Sequence, residues 1–306
     1  MSESSSSFDG DALEFQVVRS LLTKRLITPL GRTAVDVLQP CATAEEAAFQ
    51  LAATAAMAQR IVDRSLLPLS GAVEVRSWLG RFFAGEHSFL ARDAADLKRV
   101  LRTADRCRLW CGAGESALSR FAEGVPDLAD LVEGLERVVD DRGEVMDSAS
   151  SKLAQIRRNI EQHKRAVDNA MASVLTNADI RRCLQAPEPS WRHGRPVLQV
   201  KVDYRGRVRG VLHDRSASGA TLFVEPDAVV EVANRLSDEE AAENREINVV
   251  MADTARGLRR FAAEIEACIE FVARADLLQA KARLVTEDGY VVPKVAKNGP
   301  LRLRGA

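Results

Sequence analysis

The sequence predicts a mainly α protein: a helical core domain, then two long antiparallel coiled-coil-like helices with a small β-rich segment between them. Three observations carry that reading. Ala, Leu, Val, Arg and Glu dominate while aromatic residues make up only 5% of the 306 residues, a mix that favours helices over sheets. Apolar residues recur every three or four positions through two long stretches, the period of a helix face. Between those stretches the pattern switches to valine-rich alternation, the period of a strand. With 46% hydrophobic residues and a net charge of −1, the chain has enough apolar material for a sizeable core and lacks the signature of disorder.

Taken in order, residues 1–10 (MSESSSSFDG) read as a disordered polar tail, neither a signal nor a transit peptide. Residues 11–144 read as the helical core domain. Asp11 is placed to cap DALEFQVVRSLLTKRL, whose apolar stripe is Leu13, Val17, Val18, Leu21 and Leu22, and the Pro29-Leu30-Gly31 turn ends it. Thr43 and Glu46 form a capping-box pattern ahead of AEEAAFQLAATAAMAQRIVD. Leu90, Ala94, Leu97, Leu101 and Ala104 keep helical step through the next segment, and Val125-Pro126-Asp127 opens a further helix.

The ascending long helix is expected over 145–186. Its seam is Met146, Ala149, Leu153, Ile156, Ile160, His163, Val167, Ala170 and Val174, at heptad intervals, which predicts a helix of about 40 residues and roughly 60 Å. A descending helix is expected over 227–286, with the seam Ile247, Met251, Thr254, Leu258, Phe261, Ile265, Cys268, Val272 and Ala275. Neither stripe can be hidden alone, so the two should pair antiparallel. The polar run SDEEAAENRE (237–246) should interrupt the pairing. Pro187 and Pro189 stop the first helix, and residues 187–226 form the β-rich segment. It holds three expected strands, Pro196–Val202, Arg207–His213 and Thr221–Val224, with turns at Gly206 and Gly219.

Charge is unevenly distributed. Residues 1–150 carry a net −6, residues 151–215 a net +8, and residues 226–270 a net −6. Either the central basic block is neutralised by the acidic ones within the fold, or it presents a local cationic surface. Arg192, Arg195, Lys201, Arg205, Arg207 and Arg209 surround the first two strands and are the candidate contacts to phosphate.

Chemistry is otherwise sparse. No Gly-Lys pair occurs, which excludes a P-loop. The five cysteines, Cys41, Cys107, Cys111, Cys183 and Cys268, are odd in number and far apart, as reduced thiols of a cytoplasmic protein would be. Cys107 and Cys111 share a helix face, but no second pair completes a zinc set. His213 and Asp214 are adjacent on a strand and so point to opposite faces, which argues against a catalytic trio with Ser216 or Ser218. No catalytic residue and no metal site is assigned, and no segment is apolar enough to span a membrane.

The block RHGRPVLQVKVDYRGRVRGVLHDRSASGATLFVEP, Arg192 to Pro226, resembles the MutS-two branch of the MutS family, most specifically in HDRSASGATLFVEP. GEVMDSASSKLAQIRRNI, LEFQVVRSLLTKRLITPLGR and ADLLQAKARLV resemble the same family in order. The resemblance implies a core domain, two lever helices and a clamp, with residues 287–306 at the start of an ATPase domain. It implies that ATP and Mg belong to the ATPase domain of full-length relatives and nuclease activity to a later Smr domain, so this chain would be no enzyme and need no cofactor. It implies a nucleic-acid partner, either branched or duplex DNA or ribosomal RNA, in a family linked to suppression of homologous recombination and rescue of stalled ribosomes. A homodimer, or docking of a non-enzymatic interaction module on a separately encoded ATPase or the ribosome, is the alternative expectation.

Overall fold

The computed structural model describes residues 14–63, 66–113 and 116–295. The expected tail over 1–10 and the Asp11 cap lie outside them. Among the described residues the protein is mostly helical, with one four-stranded antiparallel sheet. The chain divides into two compact units: residues 1–144 with 254–306, and Val145–Asp253.

The first unit holds α1 (Phe15–Thr23), α2 (Pro29–Asp36), α3 (Ala44–Val62), α4 (Arg76–Phe83), α5 (Ala91–Gly112), α6 (Ala117–Phe121) and α7 (Ala129–Val138), with α11 (Ala262–Asp288) later in the chain. Pro29-Leu30-Gly31 opens α2 rather than forming a simple stop. Thr28 is the cap, its hydroxyl accepting from the Gly31 N–H at 3.2 Å, and Pro29 takes the first helical position, where its missing N–H is harmless. At α3 the Thr43 hydroxyl accepts from the Glu46 N–H at 3.1 Å, and the Glu46 carboxylate reaches back to the Ala42 N–H at 3.1 Å.

α11 is the central helix of this unit. Ile265, Cys268, Phe271, Val272, Ala275, Leu278 and Ala280 are all buried, with α2, α3 and α5 packed against the helix, while Glu266, Glu270 and Arg274 keep one side of its first turns exposed. Asp276, also fully buried, accepts from the Thr28 N–H and hydroxyl, both at 2.7 Å, so it anchors the start of α2. Burial pushes its carboxyl above the ordinary range, against the N–H groups of Ile27 and Thr28. Gly31 leaves room for it: a Cβ there would stand 2.5 Å from Asp276 Oδ2. The expected single helix over 227–286 is therefore two helices: α10 (Asp227–Leu258) and α11, separated by a 3-10 turn, Arg259–Phe261. Phe261, placed in the seam by spacing, is 40% exposed.

The second unit opens with a 3-10 turn (Asp147–Ala149), then α8 (Ser151–Thr176) and α9 (Ala178–Cys183). The 40-residue helix expected from the seam is cut at both ends. Ser150 caps α8 through the Leu153 N–H, which leaves Met146 outside the helix and 39% exposed. Asn177 ends it, its side chain accepting from the N–H groups of Asp179 and Ile180 to start α9. The 26 residues of α8 span about 39 Å.

α8 and α10 do run antiparallel. Ile156, Ile160, Val167 and Met171 of α8 share a core with Val229, Ala233 and Leu236 of α10. The acidic run expected to interrupt this pairing is what closes it. Arg157 Nε meets Glu243 Oε1 at 2.7 Å, Asn159 Nδ2 donates to Glu239 at 3.0 Å, and Glu246 takes the Ser150 hydroxyl and Lys152 Nζ, both at 2.8 Å. Partner numbers fall along α10 as they rise along α8.

Four strands follow α9, one more than expected: β1 (Ser190–Arg192), β2 (Arg195–Lys201), β3 (Gly210–Arg215) and β4 (Thr221–Pro226), in the order β1-β2-β4-β3. The additional strand, β1, joins β2 through a two-residue turn. His193 and Gly194 have φ of +50° and +75°, the paired left-handed residues of a type I′ hairpin. Leu198, Val200, Leu222 and Val224 turn one side of the sheet to the α8–α10 core.

Candidate nucleic-acid interface

The six basic candidates fall into two groups with different fates. β4 lies between β2 and β3 and is antiparallel to both, so β2 and β3 are parallel and their connection, residues 202–209, must cross the length of the sheet. It does so through a 3-10 turn, Val202–Tyr204, and Gly206 at φ +81°, and is pinned by Val208, which is buried in the helix–sheet core. Arg205, Arg207 and Arg209 ride on this crossover. The expected strand Arg207–His213 begins only at Gly210, where a Cβ would stand 2.0 Å from the Glu225 carbonyl oxygen and only glycine fits. The three arginines are exposed, and among the described residues their side chains have no ion pair or hydrogen bond. Lys201 and Arg215, at the opposite end of the strands, are likewise unpaired; Arg215 was not among the candidates.

Arg195 belongs to the other group. Glu225 is 1% exposed, and Arg195 forks onto it, Nε to Oε2 at 3.0 Å and Nη2 to Oε1 at 2.6 Å. The same Nη2 donates to Asn234 Oδ1 of α10 at 2.8 Å, and His213 Nε2 lies 2.6 Å from the Glu225 carboxylate. A guanidinium held on a buried carboxylate is not free to take phosphate, so Arg195 is a structural tie between the sheet and α10, and it leaves the candidate set. The same contact explains His213, whose partner is across the ladder rather than beside it in sequence. Arg192 is intermediate. It is exposed, with its guanidinium 4.3 Å above the Phe223 ring, which orients it without neutralising it. Gly219, at φ +73°, lies in the turn between β3 and β4.

Arg207 and Arg209 line a cleft of about 600 Å³ together with Val174, Asn177, Asp179 and Asp227. Gly210 pairs with Pro226, and Trp191 with Pro196 at the start of β2. Arg192, Arg207 and Arg209 therefore gather at one end of the sheet. On α8 the charges go elsewhere: Arg157 is shared between Asp147 and Glu243, and Lys152 is held by Glu246. Both expectations for the basic block thus hold locally. Parts of the helix are neutralised within the fold, and the loops of the sheet are not.

The paired thiols of α5 offer no rival chemistry. Burial raises Cys107 to about 12 and Cys111 to about 11, so both stay protonated at neutral pH. Among the described residues no group of three His, Cys, Asp or Glu side chains is placed to hold a metal ion. No described helix is long and apolar enough to cross a membrane.

Comparison with known proteins places this arrangement. No family model matches the chain. It is 31% identical over 299 residues to the endonuclease MutS2 of Geobacillus kaustophilus, which covers 95% of this chain and 38% of that protein. It is 31% identical over 305 residues to that of Leuconostoc mesenteroides, covering 96% and 38%. Against that of Symbiobacterium thermophilum the identity is 31% over 307 residues, covering 95% and 37%. This chain is a MutS2 relative. The similarity to MutS2 runs through both units and includes the sheet with its crossover, while the chain spans less than two fifths of the length of these MutS2 proteins.

Proposed function

We propose that this MutS2-like segment binds the backbone of nucleic acid without reading sequence, using the cations around its sheet. The carrying observation is the contrast within one unit: Arg157, Lys152 and Arg195 are held by carboxylates, whereas among the described residues Arg192, Arg205, Arg207, Arg209 and Arg215, all exposed, and the half-buried Lys201 have none. Arginines on a crossover pinned at Val208 reach phosphate oxygens at little ordering cost, and they carry no base-specific geometry. In this reading α8 and α10 serve as levers and the sheet as a clamp, and DNA or ribosomal RNA is the polyanion. Roles in recombination suppression or ribosome rescue would follow from the same contact. ATP, Mg and nuclease chemistry would be supplied by other domains.

The test is salt dependence. With about four phosphates neutralised, the log–log slope of duplex binding against salt should be near −3.6. Replacing Arg205, Arg207 and Arg209 by Ala should flatten that slope by about 2.7, at about 0.9 per contact. A slope unchanged by the triple substitution rejects the assignment. A second reading, an interaction module that docks on a separately encoded ATPase, is favoured by the exposed apolar side chains Val17 and Val37 of the first unit. Co-purification with an ATPase partner, unaffected by the triple substitution, would support it.

A further inference from the structure

Among the exposed apolar side chains of the sheet unit, the largest has no role in the phosphate contact. Of the three tryptophans, Trp78 is buried among Phe82, His87 and Phe89, and Trp110 lies under Arg60. Trp191 is 52% exposed on β1, one of the two edge strands of the sheet, opposite Pro196. A large apolar ring left in water forfeits burial energy that this fold collects at Trp78. Arg192 follows it directly on the strand, so its side chain turns to the other face of the sheet, over Phe223, while Arg207 and Arg209 approach the same end of the sheet, about 14 Å away across three strand spacings. The type I′ turn at His193 and Gly194 fixes the strand that carries the ring.

An exposed ring at the same end of the sheet as Arg207 and Arg209 matches the two requirements of a single-strand site: a π face for one base and cations for the backbone of its neighbours. In a duplex the base faces are stacked on one another, so such a ring could meet only edges or phosphates. We propose that Trp191 is a stacking platform for an unpaired nucleobase, so that the site takes single-stranded or frayed nucleic acid in preference to intact duplex. This rests on the phosphate contact proposed above and extends it by naming the form of nucleic acid that the site selects.

The experiment uses the 306-residue chain with oligo-dT, oligo-U and a blunt duplex of equal length, read by tryptophan fluorescence and by affinity. Both single strands should quench emission. W191F should lose the signal of that ring but keep the affinity, since Phe still stacks. W191L retains an apolar side chain against Pro196 and should weaken single-strand binding about tenfold while changing duplex affinity less than twofold. Equal losses on single strand and duplex, or no quenching by either strand, would overturn the proposal, as would quenching by anionic lipid vesicles but not by the oligonucleotides. Should the triple arginine substitution flatten the salt slope while W191L is silent, the stacking role alone fails. Should the arginines be silent as well, the phosphate contact fails with it.

Discussion

Glu225 shows how much one buried carboxylate settles. It is the end point for Arg195 and His213, and through Arg195 it ties the sheet to Asn234 of α10. Removing it strands a guanidinium in a mostly buried position, so Glu225→Ala should cost about 3 kcal/mol of stability in a urea titration. An Arg195 that merely solvated the surface would leave the midpoint unmoved. In the first unit Lys98, 2% exposed, is satisfied by the Val139 carbonyl and by Asp141, each at 2.8 Å. The hydrogen bond from Lys98 holds the Asp141 carboxyl below the usual range. Its stabilisation is therefore complete above the ordinary carboxylate value and is lost as pH falls through the lowered one. Asp141→Asn should lower stability at neutral pH and flatten the acid limb below about pH 4. Equal pH profiles for the two proteins would count against this ion pair.

Elements in this protein are delimited by polar side chains as much as by apolar period. Ser150 and Asn177 cut α8 to 26 residues, and the seam begins ahead of the first cap, at Met146. The crossover that carries the arginines is fixed by a single apolar residue, Val208, buried between the α8–α10 core and the sheet. Val208→Ala should cost only about 1–2 kcal/mol. It should nevertheless weaken polyanion binding several-fold, because Arg205, Arg207 and Arg209 would have to be ordered on binding. Binding that survives V208A unchanged would mean the crossover is not preorganised.

At the scale of the molecule, the two compact units distribute their supports differently. The first is built around α11, whose middle turns are buried; the second is a helix pair packed on a sheet. Since the Glu225 network lies wholly within Val145–Asp253, Glu225→Ala should raise hydrogen exchange in β2, β3 and β4 and leave the α11 core protected. Uniform loss of protection across both units would show that they unfold as one. The charge asymmetry also resolves at this scale. A net charge of −1 describes no surface, because the acids of α10 answer the cations of α8 and leave those of the sheet.

Much was legible in the residues themselves. Thr43 and Glu46 announced the start of α3 because a cap is a local hydrogen-bond pattern. Ile156, Ile160 and Val167 announced a paired helix because a stripe needs a partner. Valine alternation announced β2, and HDRSASGATLFVEP announced kinship with the MutS-two branch. Period could not say where those helices stop, because a cap outbids a seam only when its own N–H groups need a partner. Nor could it reveal β1, whose three residues carry too little pattern and whose turn, His193-Gly194, lacks the commonest signature. Which cations are free was decided by tertiary structure alone. Arg195 and Arg207 are the same residue type twelve positions apart, and only the arrival of Glu225, thirty residues after Arg195, makes one a tie and leaves the other for a partner. Sequence by itself determined the composition of the sheet and its charge; the fold determined which charges face one another, because that depends on strand order and burial, which no local spacing encodes.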